Sequence, residues 1–326
     1  MTKLKIGVLG AGHLGKIHLR CILQASERFE LVGFFDADAV NAAKIAEELK
    51  IRAFDSAESL MGAVDVVDIV TPTIHHFSLA KAAILRGRHV FIEKPLTHTV
   101  AEAEELLVLT QKQGVKVQVG HVERFNPAFL ALGDISIEPL FIEAHRLATF
   151  NPRGTDVSVI LDLMIHDIDL VLHLVNSEVK AIHASGVAVV SASPDIANAR
   201  IEFENGCVAN LTASRMSLKQ MRKVRFFQRD AYLSLDFLEK NAQIIRLLDE
   251  NTEGGHLMEM DTARGKKWID INMPEPLAVN AIQLELETFA DSIIQDTQPK
   301  VTIEDGYRAL KVAHQIIEVI GDTTLS

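Results

Sequence analysis

The chain has 326 residues, enough for about two domains, and its 48% hydrophobic and 24% charged residues are ordinary for a globular protein. Its 33 basic and 44 acidic side chains give a formal charge of −11, which argues against nucleic acid or an anionic membrane as partner, and no apolar run reaches the roughly 18 residues of a membrane span. Two distant cysteines, Cys21 and Cys207, match no metal-ligand spacing and suit a reducing compartment, so we expect a cytoplasmic protein.

In the first third of the chain, short apolar segments alternate with helical ones. We expect strands at 5–9, 31–35, 64–70, 89–92 and 115–119, separated by helices that include 38–49 and 76–86. Thr99 and Glu102 have capping-box spacing and open a further helix, which stops at Gly114. This alternation predicts a doubly wound parallel sheet of the Rossmann type, covered by helices on both faces, over residues 1–120.

After residue 120 the pattern changes. We expect one helix at 161–175 and then strands at 182–190, 199–203, 208–213, 222–228 and 231–236 with no helix between them. The pair Asn205-Gly206 favours a tight hairpin. Residues 121–326 are therefore expected to form a second α/β domain on a large, mostly antiparallel sheet. Amphipathic helices at 281–295 and 304–320 close the chain, and the last is a candidate for packing back on the first domain.

A glycine-rich loop follows the first strand and opens a helix. Gly10, Gly12 and Gly15 form the pattern G-x-G-x-x-G, with His13 and Leu14 between the last two glycines. Glycine permits a tight turn and close backbone approach, and free N–H groups at the helix start suit a pyrophosphate. This context predicts dinucleotide binding by all five loop residues, with the His13 side chain exposed. The alternative is a glycine-rich turn without a ligand.

Asp36 ends the second strand, 21 residues after Gly15. A carboxylate at this point accepts hydrogen bonds from the adenosine ribose hydroxyls and repels a 2′-phosphate. We therefore expect NAD as the cofactor rather than NADP. The alternative is that Asp36 caps the following helix.

Lys94 lies between Glu93 and Pro95, directly after a predicted strand of the first domain. Ligands of open α/β sheets bind beyond the carboxyl ends of the strands, and Pro95 keeps the backbone at Lys94 extended. A lysine here can hydrogen-bond a substrate hydroxyl. The alternative is a surface lysine paired with Glu93.

Four polar residues recur on the otherwise apolar helix at 161–175. At 100° per residue, Asp162, His166, Asp169 and His173 fall within a stripe roughly 60° wide. Such a stripe could form a metal site, a structural hydrogen-bond network, or a general base oriented by a carboxylate. The stripe extends roughly 16 Å along the axis, too far for one ion, so we assign no metal and favour His166 as the base beside Asp162.

The motifs together resemble the Gfo/Idh/MocA family of NAD(P)-dependent oxidoreductases along essentially the whole chain. The resemblance is carried by the segments 10–18, 71–76, 93–95, 162–166 and 305–310. It implies a Rossmann domain joined to an open-faced α/β domain, with dimers or tetramers formed through the open sheet.

The resemblance also implies roles for particular residues. Lys94, following Glu93, would contact both cofactor and substrate hydroxyl, and His166 would act as acid/base with Asp162 beside it. Residues Thr71, Pro72 and His76 would line the nicotinamide side, while Thr73 stands where many relatives have Asn. The reaction would be hydride transfer between a carbinol carbon and NAD, with Lys94 stabilising the developing alkoxide.

The segment 120–127 is similar to that of family members that oxidise the 3-hydroxyl of UDP-N-acetylglucosamine. His121 in this segment and Arg153 are candidate substrate residues; alternatively Arg153 is a salt-bridged loop residue. The substrate is expected to be a sugar, nucleotide sugar or polyol. A different class of function, a dinucleotide-responsive regulatory protein without chemistry, is the alternative; the presence of Lys94, Asp162 and His166 argues against it.

Overall fold

The computed structural model describes residues 3–150, 157–249, 258–262 and 265–324. Two compact units make up the chain: Met1–Phe125 with Val279–Lys311, and Asn126–Ala278 with Val312–Ser326. Among the residues described, no helix is both long and apolar enough to cross a bilayer.

The secondary structure has these bounds in chain order. The strands are β1 (Leu4–Leu9), β2 (Phe29–Phe35), β3 (Val66–Ile69), β4 (His89–Glu93), β5 (Val117–Gly120), β6 (Phe141–Leu147), β7 (Val179–Val187), β8 (Ile196–Phe203), β9 (Val208–Ser214), β10 (Met221–Phe227), β11 (Ala231–Asp236), β12 (Asn241–Leu248), β13 (Met258–Thr262) and β14 (Gly265–Asn272). The helices are α1 (His13–Gln24), α2 (Ala39–Leu49), α3 (Ala57–Ala63), α4 (His76–Leu85), α5 (Val100–Gln113), α6 (Pro127–Leu130), α7 (Ile165–Leu174), α8 (Ala281–Ile294) and α9 (Ile303–Thr324).

The first unit is built on a parallel sheet of order β2-β1-β3-β4-β5, which confirms the predicted doubly wound domain. Side chains of α1, α2 and α8 pack with those of the strands in one apolar core, while α3 and α4 contact the strands and α5 packs on α4. The strand order reverses between β1 and β3, the place where ligands of such sheets bind.

Local signals set the ends of α5 as expected. The Thr99 Oγ1 accepts the Glu102 N–H at 3.3 Å, and the Glu102 carboxylate accepts the Thr99 N–H at 2.9 Å. Gly114 ends the helix in the left-handed region with φ +65°. The predicted capping box and stop are confirmed.

Contacts assign residues 279–311 to the first unit, whereas the sequence-based boundary at residue 120 put them in the second. Gln118 of β5 donates to the Glu285 carbonyl of α8 at 3.0 Å, and the Phe289 ring lies 6.1 Å from that of Phe91. In α9, Gly306 abuts Val119 of β5 so closely that a Cβ would lie 2.6 Å from a valine methyl. The helix continues from Val312 as part of the second unit.

The second unit contains a nine-stranded sheet of order β13-β14-β12-β11-β10-β6-β9-β8-β7. Only β6 and β9 pair in parallel, so the prediction of a mostly antiparallel sheet is confirmed. In β6, β8 and β9 buried residues alternate with more accessible ones, the pattern of a sheet covered on one face, and α7 packs against β6 and β9. Gly206, with φ +86°, lies in the predicted hairpin between β8 and β9.

The predicted continuous helix at 161–175 differs from the structure. Residues Ile160–Met164 form a π-helical turn, and α7 begins only at Ile165. A π turn advances by more residues than an α turn, so the 100° spacing used to align the polar stripe does not hold across residue 164. Burial also differs among the four residues: Asp169 is buried and His173 exposed, while Asp162 and His166 are intermediate.

Candidate functional site

The glycine loop has the backbone geometry that its sequence predicts. Gly10 follows β1 with φ +91°, and a Cβ there would lie 2.6 Å from the Val70 carbonyl oxygen; at Gly15 a Cβ would overlap the Gly10 carbonyl oxygen. Gly12 is the N-cap of α1, with no side-chain cap, and a Cβ there would meet nothing within 4 Å. The helix start is thus open above Gly12 and fits a pyrophosphate held by backbone N–H groups. His13 is exposed, as expected.

Alanine substitutions should separate folding from cofactor binding in this loop. Gly15→Ala should destabilise the protein by roughly 1–3 kcal/mol, because the Gly10 backbone leaves no room for a methyl group. Gly12→Ala should unfold at nearly the wild-type temperature, yet bind NAD more weakly, because its methyl group occupies the open space at the helix start. Calorimetric melting and NAD titration of both variants test this; equal loss of stability in the two would contradict it.

Asp36 lies at the end of β2 and holds the loop in place. Its carboxylate accepts the Ala11 N–H at 2.7 Å, the Asp38 N–H at 2.9 Å and the Asn41 amide at 3.2 Å. The N-cap of α2 is Asp38, which accepts the N–H groups of Val40 and Asn41. The alternative that Asp36 caps this helix is therefore wrong.

The end of β3 is tied to the turn after β4 by a buried histidine. Thr71 and Pro72 lead into a 3₁₀ turn at Thr73–His75, and His76 then begins α4. The His76 ring nitrogens lie 2.9 Å from the Thr71 carbonyl oxygen and 2.8 Å from that of Pro95. Burial lowers the pKa of His76. This geometry gives His76 a part in positioning both loops; the nicotinamide contact that the resemblance implies for this segment stays a prediction.

Lys94 follows β4, is half-buried, and forms a cis peptide bond with Pro95. Its backbone N–H donates to Oε2 of Glu93 at 3.1 Å. Glu93 is only 7% exposed as a residue, and its Oε1 lies 3.1 Å from Nε2 of His18. Glu93 is therefore a buried residue of the first unit that contacts His18. Lys94 is not a surface residue paired with an exposed carboxylate.

His121 follows β5 and is 1% exposed. Its carbonyl oxygen accepts the Arg124 N–H at 3.1 Å, and the Arg124 guanidinium lies 3.3 Å from Asp305, which accepts the Thr302 N–H near the start of α9. Residues 121–124 are thus anchored to the start of α9. The other candidate substrate residue, Arg153, lies outside the described residues.

In the second unit, an ion pair that sequence reasoning missed fixes α7. The Arg146 guanidinium of β6 donates to both carboxylate oxygens of Asp167, at 3.0 and 2.8 Å, and both side chains are 3% exposed. A two-point contact of this kind sets the rotation of the helix about its axis, and so the direction of its neighbour His166. The sequence signal was Asp167, a charged residue on an otherwise apolar helix; Arg146 lies on the buried side of β6 in the structure.

Hydrogen bonds hold the residues just before the π turn, 157–159. Arg215 donates to the Val157 carbonyl oxygen at 2.5 Å, and the Val159 N–H donates to that of Pro194 at 3.3 Å. Asp162 then lies within the π turn, four residues before His166. Single π turns are frequent at functional sites. Within the described part of the chain, no group of three or more His, Cys, Asp or Glu side chains is arranged to hold a metal.

Comparison with known proteins matches both units to one family. Residues 4–121 match the model of the oxidoreductase family with an NAD-binding Rossmann fold, and residues 142–229 match the GFO/IDH/MocA C-terminal domain. The chain is 42% identical over 245 residues to UDP-N-acetylglucosamine 3-dehydrogenase of Acidithiobacillus ferrooxidans, covering 75% of this chain and 77% of that enzyme. It is 28% identical to scyllo-inositol 2-dehydrogenase (NAD⁺) of Bacillus subtilis, covering 66% of this chain and 68% of that enzyme.

A solved structure of the Acidithiobacillus ferrooxidans enzyme superposes with a TM-score of 0.86 at 35% identity, covering 99% of both chains. The chain belongs to the GFO/IDH/MocA family of NAD-binding oxidoreductases.

Proposed function

We propose that this chain is an NAD-dependent dehydrogenase that oxidises the 3-hydroxyl of UDP-N-acetylglucosamine. The observation that carries the proposal is the 35% identity, over 99% of both chains, to a solved enzyme named for that reaction. The resemblance of residues 120–127 to the same group of enzymes supports it. A non-catalytic regulatory role is disfavoured, because relatives over most of the chain are named dehydrogenases.

The proposed chemistry assigns each polar group one task. NAD, when bound, supplies the hydride acceptor for the carbinol carbon. His166 accepts the proton of the substrate hydroxyl, and Asp162 orients that imidazole. The Lys94 ammonium stabilises the negative charge that develops on the hydroxyl oxygen. Asp36 and the backbone of the glycine loop hold the adenosine diphosphate portion of the cofactor.

Incubation of the purified protein with NAD and a panel of sugars, polyols and nucleotide sugars tests the assignment through the absorbance of reduced nicotinamide. The proposal expects the highest kcat/KM with UDP-N-acetylglucosamine. Faster oxidation of a free polyol such as an inositol would replace the substrate assignment. No reduction with any member of the panel would favour the non-catalytic alternative.

The choice of NAD over NADP is proposed to depend on Asp36. Asp36→Ala should reduce the ratio of kcat/KM for NAD to that for NADP by roughly tenfold or more, because a like charge beside a 2′-phosphate costs several kcal/mol. Asp38→Ala is the matched control, since Asp38 caps α2 and is exposed. An unchanged ratio in Asp36→Ala would contradict this role.

We also propose that two copies associate through the sheet of the second unit. Half-buried aromatic rings cluster there on adjacent strands, with ring centroids 6.0 Å apart for Phe141 and Phe227 and 5.1 Å for Phe227 and Tyr232. Aromatic residues are enriched in subunit interfaces. Light scattering should give a mass at least twice that of the 36.0 kDa chain; a monomer mass would contradict the proposal.

A further inference from the structure

His18 of α1 lies between two buried carboxylates of the parallel sheet. Its Nδ1 is 2.9 Å from Oδ2 of Asp68 in β3, and its Nε2 is 3.1 Å from Oε1 of Glu93 in β4. The side chains of His18 and Asp68 are fully buried, and that of Glu93 is 9% exposed. A helix that starts at the glycine loop is thereby joined to the residue before Lys94.

This arrangement specifies the charge of the imidazole. A neutral ring has one N–H and would turn a lone pair toward one of the two carboxylates, whereas the imidazolium donates to both. Burial alone would lower the pKa of His18, but Asp68 and Glu93 together raise it well above its ordinary value. Burial, opposed by the charge of His18, raises the pKa of Asp68. The same contacts, with the charge of Lys94, overcome burial and keep the pKa of Glu93 below its ordinary value.

Three elements, α1, β4 and α8, contribute further groups to the surroundings of His18. The thiol of Cys21 lies on the same helix. Burial raises the pKa of this thiol, and the charge of His18 offsets part of that increase. The Phe91 ring of β4 contacts the imidazole edge with centroids 5.8 Å apart. Helix α8 packs on α1, places the Phe289 ring against Phe91 and also carries the buried residue Glu285.

We propose that His18 is an imidazolium at neutral and mildly alkaline pH and that it positions Lys94 through Glu93. The imidazolium fixes the Glu93 carboxylate, and the other oxygen of that carboxylate accepts the Lys94 backbone N–H. The helix that begins at the pyrophosphate loop thus determines where the turn with Lys94 lies. The inference rests on the proposed dehydrogenase function and adds a positioning residue to it.

Gly120 supports this role from the opposite side of the carboxylate. It pairs with Glu93 across β4 and β5, and a Cβ at Gly120 would lie 2.8 Å from Oε1 of Glu93. The carboxylate therefore has no space to move away from His18 toward β5. Gly120→Ala should displace Glu93 without changing any titratable group.

Nitrogen-15 NMR of histidine-labelled protein tests the charge of His18 independently of activity. Of the thirteen histidines, one should keep both ring nitrogens protonated at about pH 8, well above the ordinary histidine pKa. That signal should vanish in His18→Gln. It should persist in the control variant His183→Gln, because His183 is an exposed residue of β7. Absence of an imidazolium at this pH, or its persistence in His18→Gln, would overturn the inference.

Kinetics test the positioning role. His18→Gln and Gly120→Ala should each lower kcat by roughly 10- to 100-fold, the loss expected when a reacting group is misplaced by about 1 Å. The control Gly62→Ala, at an exposed helical site with no atom within 4 Å of the added methyl group, should keep the wild-type kcat. Wild-type kcat in His18→Gln would overturn the positioning role.

Asp68→Asn separates positioning from mere packing. Removing the negative charge of Asp68 lowers the pKa of His18. The imidazole is charged only at pH values below its pKa, so the variant loses this charge at a lower pH than the wild type. The kcat of Asp68→Asn should therefore fall at a lower alkaline pH than that of the wild type; identical profiles would contradict the inference. If the wild-type protein turns over no substrate, the proposed function fails, while the NMR measurement still decides the charge of His18.

Discussion

His166→Ala should lower kcat by roughly 10²- to 10⁴-fold while NAD still binds, because it removes the group proposed to accept the substrate proton. Lys94→Ala should cause a loss of the same order, because the ammonium group proposed to stabilise the developing alkoxide is then missing. Both residues lie at positions that the fold fixes closely: His166 follows a π turn, and Lys94 follows β4. Steady-state kinetics with UDP-N-acetylglucosamine, together with calorimetric titration of NAD, measure the two effects separately.

The matched control for His166 is His173, one histidine further along α7. His173 is exposed, and its ring lies 6.1 Å from that of Phe129. His173→Ala should therefore keep kcat near the wild-type value. A turnover number unchanged in both His166→Ala and Lys94→Ala would refute the catalytic assignment.

Asp167→Ala should lower the free energy of unfolding by about 3–5 kcal/mol, the cost of leaving a buried charge without its partner. The Arg146 guanidinium is 3% exposed and would lose both of its hydrogen bonds to the carboxylate. Urea denaturation of the full chain measures the change. Because the same pair orients α7, the variant should also lose kcat at temperatures where it remains folded.

Two further variants distinguish a buried ion pair from ion pairs in general. Glu143→Ala removes the partner of Arg225 in an exposed pair at 3.3 Å on the same sheet, and should cost less than about 1 kcal/mol. Arg146→Met combined with Asp167→Leu should recover most of the stability, because no charge is then buried unpaired. A loss in Asp167→Ala as small as that in Glu143→Ala would show that the buried pair is not what holds α7.

Much of the first unit could be predicted from local sequence. The glycine loop, the Thr99 capping box and the apolar strands each depend on neighbouring residues, and the structure agrees with all three. In the second unit the strand predicted at 231–236 was found with those bounds and the other predicted strands with shifted ends, but β6 and β12–β14 were not predicted. Their residues alternate only weakly in polarity, and their pairing depends on strands distant in sequence.

The polar contacts that support the site could not be predicted from the sequence, for a different reason. Three different elements carry the cluster of His18 on α1, Asp68 in β3 and Glu93 in β4. These residues meet because β3 and β4 are neighbours in the sheet and α1 packs on that sheet. Arg146 and Asp167 are 21 residues apart and meet only when α7 packs on β6. The π turn lies between Val157, whose carbonyl oxygen accepts from Arg215, and Asp167, which is paired with Arg146, and helical periodicity gave no sign of it.

The most direct measurement of the central claim uses UDP-N-acetylglucosamine carrying deuterium at C3. After incubation with NAD, mass spectrometry of the recovered reduced cofactor should find one deuterium per molecule, and the initial rate should fall by a primary isotope effect if hydride transfer limits turnover. Reduced cofactor without deuterium would mean that another carbon is oxidised. No reduced cofactor, from a protein that binds both NAD and the nucleotide sugar, would contradict the proposed reaction.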